Sequence, residues 1–524
     1  MKTTIKFSNR SRMGLRRNLV LQISVLLLYL SPIHGTAQIH TVTNCTEAAL
    51  RAAMAEGGTV TFVCDGTITL VGTITITNDT ILDASSHHVT ISGNGAVRVF
   101  EVGTNVQFSV GNLTIADGLA TSGAGLLNDG GVLNLVNCSF TNNSVVGGAG
   151  ADGWGGSAGE AGGSGAGGAV WNSGLMFVSG CTFAGNSAVG GTGGRGSGGD
   201  MEPYSTPGYP GGPGGDGAGG AVFNCGTAWF VNCTLAFNTG AGGAGGPGGP
   251  GYYYSPDYPP ASDGPNGPPG LSFGGIYDAT GQCYLTNCTV VFNSGTGIRT
   301  TGTDGTKLIN TLLAENSPGG NGFGGITDLG YNLSSDDTCS FTEAGSMNNT
   351  YALLGPLSDN GGSTLTVALL PGCRAIDAGD TAAAPPTDQR GVARPFGSAA
   401  DIGAYEYNEP TNPGPPTVVT ECTEGALRAA MFHLAKALGP RKIRVNTVVP
   451  TWMWGPPVQM YVQWQVADRG ITEEEAIGEI TVNMPLGEIP ADEDVAESAI
   501  FLCSDRARTI TGQTLYVNSG EFMT

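Results

Sequence analysis

Apolar and polar residues alternate in short bursts through most of this chain, as in Leu175-Met-Phe177-Val, and a period of two marks strands rather than helices. Asn and Gly stand between the bursts, and both tolerate the left-handed backbone that tight corners need. Five strings share one register: Val136-Asn-Cys138-Ser-Phe-Thr-Asn-Asn143-Ser, Ser179-Gly-Cys181-Thr-Phe-Ala-Gly-Asn186-Ser, Val231-Asn-Cys233-Thr-Leu-Ala-Phe-Asn238-Thr, Thr286-Asn-Cys288-Thr-Val-Val-Phe-Asn293-Ser and Ile309-Asn-Thr311-Leu-Leu-Ala-Glu-Asn316-Ser. Matching phrases precede them, such as Gly167-Gly-Ala-Val-Trp-Asn172 and Gly219-Gly-Ala-Val-Phe-Asn224. Cys288 and Thr311 lie 23 residues apart; the wider spacings of 43, 52 and 55 residues between the preceding cysteines read as one coil plus an insertion. One coil cannot bury its apolar face alone, so coils must stack. The expected fold class is mainly β: a right-handed parallel β-helix with a capping helix at its start, plus a small incomplete α/β fragment at the end.

In such a stack Cys138, Cys181, Cys233 and Cys288 form an inward ladder of small thiols, which behave as buried apolar groups. Asn143, Asn186, Asn238, Asn293 and Asn316 form a second ladder, bonding amide to amide along the axis. Both are read as scaffold; no residue is assigned a catalytic, cofactor-binding or metal-binding role. Cys45/Cys64 and Cys225/Cys233 are the candidate disulfides. Thr46 to Met54 reads as an amphipathic helix, with Thr46 as N-cap and Leu50, Ala53 and Met54 on one face, placed to cover the open edge of the first coil. The insertions at 147–168, 190–220 and 240–273 read as unstructured Gly/Pro-rich loops. The last of them carries Tyr252, Tyr253, Tyr254 and Tyr258, candidates for contact with a glycan or a partner surface.

The pattern changes after Pro-rich 408–416. Residues 42–54 (VTNCTEAALRAAM) and 419–431 (VTECTEGALRAAM) begin alike, but the second copy runs on as His433-Leu-Ala-Lys-Ala-Leu-Gly-Pro440. Ala426, Leu427, Ala430, Met431, Leu434 and Leu438 keep one apolar stripe, predicting a helix over 424–438. A strand over 443–449, an irregular lobe with Trp452 and Trp454, a helix over 492–503 with Val495, Ala499 and Leu502 on its buried stripe, and a strand over 514–518 follow.

Composition sharpens this picture. Gly supplies 88 of 524 residues, yet no Gly-X-Y period runs through the chain, which excludes collagen. Charged residues make up 12% and the net charge is −21, which argues against nucleic acid and anionic membrane surfaces as partners. Lys2, Lys6, Arg10, Arg12, Arg16 and Arg17 precede an apolar run at 19–30 too short to span a bilayer, and Gly35-Thr-Ala37 follows. This reads as a signal peptide cleaved after Ala37, hence a secreted or cell-surface protein without a transmembrane span after cleavage. The expected organisation is a signal peptide at 1–37, β-helix at 38–354, closing coils at 355–407, a linker at 408–418, a truncated second cap at 419–431 and the α/β fragment at 432–524.

Two resemblances follow from longer phrases. Leu354-Gly-Pro-Leu-Ser-Asp-Asn-Gly-Gly, Ala375-Ile-Asp-Ala-Gly-Asp380, Thr387-Asp-Gln-Arg-Gly391 and Asp401-Ile-Gly-Ala-Tyr-Glu406 resemble the terminal signature of choice-of-anchor Q proteins. That resemblance covers 40–407 and implies a pectin-lyase-like β-helix with a structural, adhesive or glycan-contacting role toward extracellular polysaccharide or cell-surface components. Ile443-Arg-Val-Asn446-Thr-Val-Val-Pro450, Met484-Pro-Leu-Gly487, Asp494-Val-Ala-Glu-Ser-Ala-Ile-Phe-Leu-Cys-Ser-Asp505 and Ile510-Thr-Gly-Gln-Thr-Leu-Tyr-Val-Asn518-Ser-Gly520 resemble the C-terminal part of short-chain dehydrogenases. The resemblance implies oxidoreductase ancestry for 432–524. That family needs a Gly-rich turn to seat the cofactor pyrophosphate and a Tyr and a Lys four residues apart for proton transfer. No such turn opens this tail, and the Tyr and Lys positions fall near Thr420 and Glu424, so no cofactor is expected. A polysaccharide lyase or hydrolase on the β-helix is the remaining alternative. It would need paired carboxylates on one face, and Asp83, Glu101, Asp117 and Asp129 do not pair at a repeat distance.

Overall fold

The structure, a computed structural model, describes residues 38–199, 206–252, 261–302, 305–408, 444–450 and 452–520, in two units of 1–409 and 410–524. In the first unit, consecutive short strands go to different sheets. Leu126–Asn128, Val132–Val136 and Ser139–Thr141 each join a separate one, of eight, ten and nine strands. Within these three sheets each strand pairs in parallel with its counterpart one repeat on, so Ser139, Thr182, Thr234, Thr289 and Leu312 follow one another across the nine-stranded sheet. Alternation then aims every second side chain inward, where Phe100, Phe108, Phe140, Phe183 and Phe230 are fully buried. Each such ring contributes roughly 2–3 kcal/mol by leaving water. At the corner between the ten- and nine-stranded sheets stand Asn112, Asn137, Asn232, Asn287 and Asn310, all with φ between 49° and 59°. Gly180 takes the same place at φ 65°. This is why Asn and Gly predominate there, although Tyr331 takes the corresponding place in the next repeat at φ 57°.

Helix α1 (Glu47–Met54) lies at the start, with the Thr46 hydroxyl accepting from the Ala49 N–H at 3.4 Å and Leu50, Ala53 and Met54 buried. Cys45 and Cys64 form a disulfide, whereas Cys225 and Cys233 are free thiols.

The insertions depart furthest from expectation. They contain a strict Gly-x-x period, confined to them: Gly147 to Gly168, Gly190 to Gly199, Gly208 to Gly220, Gly242 to Gly251 and Gly264 to Gly270. Each insertion runs out and back, giving six extended segments in two layers. Segments 147–153, 189–199 and 242–251 form one layer; 157–165, 208–217 and 262–271 form the other. Within a layer every third N–H bonds to the next segment: Gly147, Gly150 and Gly153 donate to the carbonyls of Val189, Thr192 and Arg195 at 2.7–2.8 Å, and Gly190, Gly193 and Gly196 to Ala241, Ala244 and Pro247 at 2.8–3.0 Å. Between layers, Gly191, Gly215, Gly243 and Gly270 donate to Gly163, Gly191, Gly215 and Gly243 in turn, at 2.8–2.9 Å. Three residues per turn is the period of polyproline II, whose isolated helix has no internal hydrogen bonds and here borrows them from its neighbours. A Cβ on Gly193 would stand 2.0 Å from the Gly212 carbonyl oxygen, so only glycine allows this approach.

The expected fold class is therefore corrected. In place of one regular right-handed parallel β-helix with loop insertions, the described residues form seven sheets, six parallel and one antiparallel. A four-stranded and a three-stranded parallel sheet sit where the chain enters and leaves the Gly-rich segments. The physical reason is that backbone hydrogen bonds, not side-chain burial, order the insertions, and a hydrophobic pattern cannot register them.

Residues 354–407 also differ from further coils. After an antiparallel pair, Leu354–Ser358 with Thr366–Leu369, the chain folds back as an irregular strap over the nine-stranded sheet. The Gln389 side chain bonds to Thr182 Oγ1 at 2.8 Å and Thr234 Oγ1 at 2.6 Å, Thr364 Oγ1 to the Gly180 carbonyl at 2.9 Å, and the Gly403 N–H to the Asn310 carbonyl at 2.8 Å.

In the second unit, Thr447–Pro450 and Thr514–Val517 pair in parallel. Helices α2 (Pro456–Arg469), α3 (Glu473–Thr481) and α4 (Asp492–Cys503) lie between them in sequence. This strand–helix–strand order is the α/β part of the chain. The expected irregular lobe is instead α2 and α3. On α4, Leu502 is buried and Val495 half-buried, but Ala499 is exposed, so the stripe is narrower than expected. The helix expected over 424–438 lies outside the described residues.

Candidate functional site

Inside the first unit the chain satisfies its polar groups along the stack. Asn143, Asn186, Asn238, Asn293 and Asn316 are buried, each amide donating at 2.8–2.9 Å to the Oδ1 of the next. Asn321, which the repeat phrase did not include, ends the row. A second row runs Asn128, Asn172, Asn224 and then Asp278, at 2.7–2.8 Å. Burial raises the Asp278 carboxyl above its usual range. Cys138, Cys181, Cys233 and Cys288 are fully buried, and burial pushes the Cys181 and Cys288 thiols well up. A thiol held protonated and dry is a poor nucleophile, so Cys181 and Cys288 offer rigidity rather than chemistry. The Cys138 thiol, which burial would raise but hydrogen bonds to Cys181 and backbone groups bring below its usual range, is equally closed to solvent. Among the described residues no group of three His, Cys, Asp or Glu is placed to hold a metal ion.

The outer faces carry aromatic stripes that the repeat phrases did not flag. Phe177, Trp229 and Tyr284 stack at 4.6 and 5.7 Å, with Lys307 Nζ 4.7 Å from the Tyr284 ring. Trp171, Phe223 and Tyr277 form a second stripe at 6.4 and 5.2 Å. Interplanar angles of 3–12° mean the rings spend their faces on one another. A sugar ring needs such a face, so the stripes consolidate the sheets. Of the tyrosines expected to contact a glycan or partner, Tyr253, Tyr254 and Tyr258 lie outside the described residues; the Tyr252 N–H bonds to the Thr206 carbonyl at 3.1 Å. The candidate carboxylates stay apart. Asp83 accepts from Ser85 and Asn112, Glu101 pairs with Arg98 at 2.9 Å, and Asp117 accepts from Ser92.

Charge concentrates in the strap. Arg390 pairs with Asp388, and Arg394 with Glu406, both at 2.8 Å and buried. The Arg390 guanidinium also lies 3.5 Å over the Tyr405 ring. Asp401 is the third buried carboxylate against two guanidiniums. Its oxygens accept the Asp377 N–H at 2.7 Å and the Tyr407 N–H, but no cation. Burial, with Glu406 nearby, therefore pushes its pKa up to about 7. A groove of about 570 Å³ borders this region, lined by Ser346, Met347, Cys373, Arg374 and Ile376 among others. It has one cation and no carboxylate, which does not make an acid–base site.

In the second unit, Arg444 reaches across to the carbonyls that end α4, donating to Leu502, Cys503 and Ser504, while Asn446 brackets Ile510 and Gln513 at 2.9 and 3.1 Å. These bonds fix the two strands in register. The Pro450 loop leads into α2, whose N-cap is Gly455 and whose end is Gly470 at φ 66°. The Thr472–Glu475 capping box opens α3.

Residues 407–521 match the family described as Enoyl-(Acyl carrier protein) reductase. An uncharacterised oxidoreductase of Methylorubrum extorquens is 35% identical over 106 residues, which is 20% of this chain and 40% of that protein. The 3-oxoacyl-[acyl-carrier-protein] reductase FabG of Aquifex aeolicus is 34% identical over 100 residues, 19% of this chain and 36% of that one. Carbonyl reductase [NADPH] 2 of Sus scrofa is 32% identical over 99 residues, with the same shares. Among solved structures, a short chain dehydrogenase family protein from Francisella tularensis is 31% identical, covering 18% of this chain and 40% of its own, at TM-score 0.18. The chain thus spans about two fifths of the curated relatives it matches, and what it shares with them is an oxidoreductase-like segment of the short-chain dehydrogenase type.

Proposed function

We propose that the C-terminal unit is an oxidoreductase-type module of the short-chain dehydrogenase kind that is not self-sufficient in this chain. The observation that carries this reading is the match over 407–521, on a unit whose parallel strands and intervening helices follow the family's order. The relatives' names give the chemistry by analogy: reduction of a carbonyl with NADPH. Hydride transfer needs the cofactor seated on a Gly-rich turn at a helix N-terminus and a Tyr/Lys pair beside it. The sequence supplies neither in the tail; positions 420 and 424, where the pair would fall, hold Thr and Glu and lie outside the described residues. The first unit, with its choice-of-anchor Q-like signature, serves on this reading as a secreted or cell-surface scaffold. The Cys45–Cys64 disulfide suits an oxidising compartment.

The deciding experiment is a titration of the full chain with NADPH, following both nicotinamide emission and quenching of tryptophan. The expected result is no saturable binding at micromolar cofactor. Stoichiometric binding, with turnover of a carbonyl substrate, would overturn the incompleteness and make the chain an enzyme in its own right.

A further inference from the structure

Among the described residues, the last segment of the Gly-rich sandwich, residues 262–271, has neighbours on only two sides. Within its layer it receives bonds from Gly208, Gly211 and Gly214, donated to the carbonyls of Ser262, Pro265 and Pro268 at 2.9–3.0 Å. Across the layers Gly264, Gly267 and Gly270 donate to Gly249, Gly246 and Gly243 at 2.8–2.9 Å. Those glycines occupy the inward row of a three-residue turn. The other two rows are open: Ser262, Pro265, Pro268 and Leu271 on the layer's face, and Asp263, Asn266 and Pro269 on its edge, all exposed.

The edge is closed to strand addition. Gly248 and Gly251 already donate to the side chains of Asn266 and Asp263, at 3.0 and 2.9 Å, and Pro269 has no N–H to offer. What remains is a ridge in polyproline II form with Pro265 and Pro268 on one face, about 9 Å apart at ~3.1 Å per residue. We propose that this ridge docks a protein domain with an aromatic-lined groove of the kind that reads P-x-x-P segments. Such grooves engage two rows of a three-fold helix; here the Pro265/Pro268 row is free, and the exposed edge row is held in place because Asp263 and Asn266 accept from Gly251 and Gly248. Free proline-rich peptides lose conformational entropy on binding; hydrogen bonds along the inward row have already ordered this ridge. A second copy of the chain is a poorer fit, because a ridge three turns long cannot bury the roughly 1,200 Å² of a stable dimer.

The test titrates the full chain into an isolated SH3 domain and an isolated WW domain, reading the tryptophan emission of each groove. The expected result is saturable binding to at least one, weakened tenfold or more by Pro265→Ala with Pro268→Ala. Pro210→Ala with Pro213→Ala, in the middle segment that has neighbours on both sides of its layer, leaves affinity unchanged. Circular dichroism reports whether the first pair still folds; if it does not, Pro269→Glu, which keeps both facing prolines and adds bulk and charge to the edge row, must weaken binding instead. No saturable binding to either domain, equal loss in the Pro210/Pro213 pair, or a concentration-dependent dimer abolished by the ridge variants would overturn the proposal.

Discussion

Asp401 gives a sharp test of the electrostatics in the strap. Its side chain is 1% exposed, beside Arg394 and Glu406 that already pair with each other. Its pKa stands at about 7 in the fold against 3.8 for the free side chain. The folded chain therefore holds this proton more tightly than the unfolded chain does, and the resulting stabilisation is present below about pH 4 and lost as pH rises through 7. At ~1.4 kcal/mol per pH unit the swing is on the order of 4 kcal/mol, all of it between those limits. Asp401→Asn removes the titration while retaining an oxygen acceptor for one of the two N–H groups. Urea unfolding of both proteins across pH 4–8 measures the effect. The wild-type curve should lose about 3 kcal/mol relative to the variant between pH 5 and 8, although the variant too changes with pH through the other carboxylates. Parallel curves over that range would refute the placement of the unpaired charge on Asp401.

Two further substitutions probe the ordered interior. Gly193→Ala would drive a Cβ to 2.0 Å from the Gly212 oxygen and force the layers apart, costing about 3 kcal/mol or more, whereas Thr192→Ala on the exposed row should stay within about 0.5 kcal/mol; differential thermal unfolding separates them, and equal melting would show the segments to be loose. Asn238→Ala strips Asn186 and Asn293 of their shared partner inside the stack, so a loss of at least about 3 kcal/mol is expected in urea, with little change for exposed Ser179→Ala.

Where side-chain burial organises the chain, the sequence was readable. The residues that follow each Asn-Cys corner fall on successive paired strands with the register their spacing implies, because an inward residue every second position leaves a visible trace. Helix α1 was legible from Thr46 and the Leu50/Ala53/Met54 stripe. The two-layer sandwich was not, because its order lies in N–H groups every third residue, and a composition count treats those glycines as low complexity. The signal was nonetheless present in the unbroken Gly-x-x spacing from Gly147 to Gly168. Helices α2 and α3 were missed for another reason. Their faces show little amphipathic contrast, but Pro456-Pro457, Gly470 and the Thr472/Glu475 box marked their ends. The strap escaped notice because it packs through Gln389, Thr364 and backbone groups, which carry no periodicity.

The two units differ in how far their apolar residues find cover, and this bears on where function can reside. The first keeps its large aromatic core residues dry and its buried amides bonded to one another, leaving chemistry to its surface. The second exposes Met460, Trp464, Val482, Leu486 and Ile500, each more than half open, while among its described apolar residues it buries Val462, Ala476, Met484, Leu502 and Ala507. Parallel sheets ordinarily have both faces covered, yet every residue of Thr447–Pro450 is only half-buried, and among the described residues its one paired strand is Thr514–Val517. The curated relatives are more than twice as long as the segment they share with this chain. Apolar surface left open in this way fits a module cut from a larger α/β sheet.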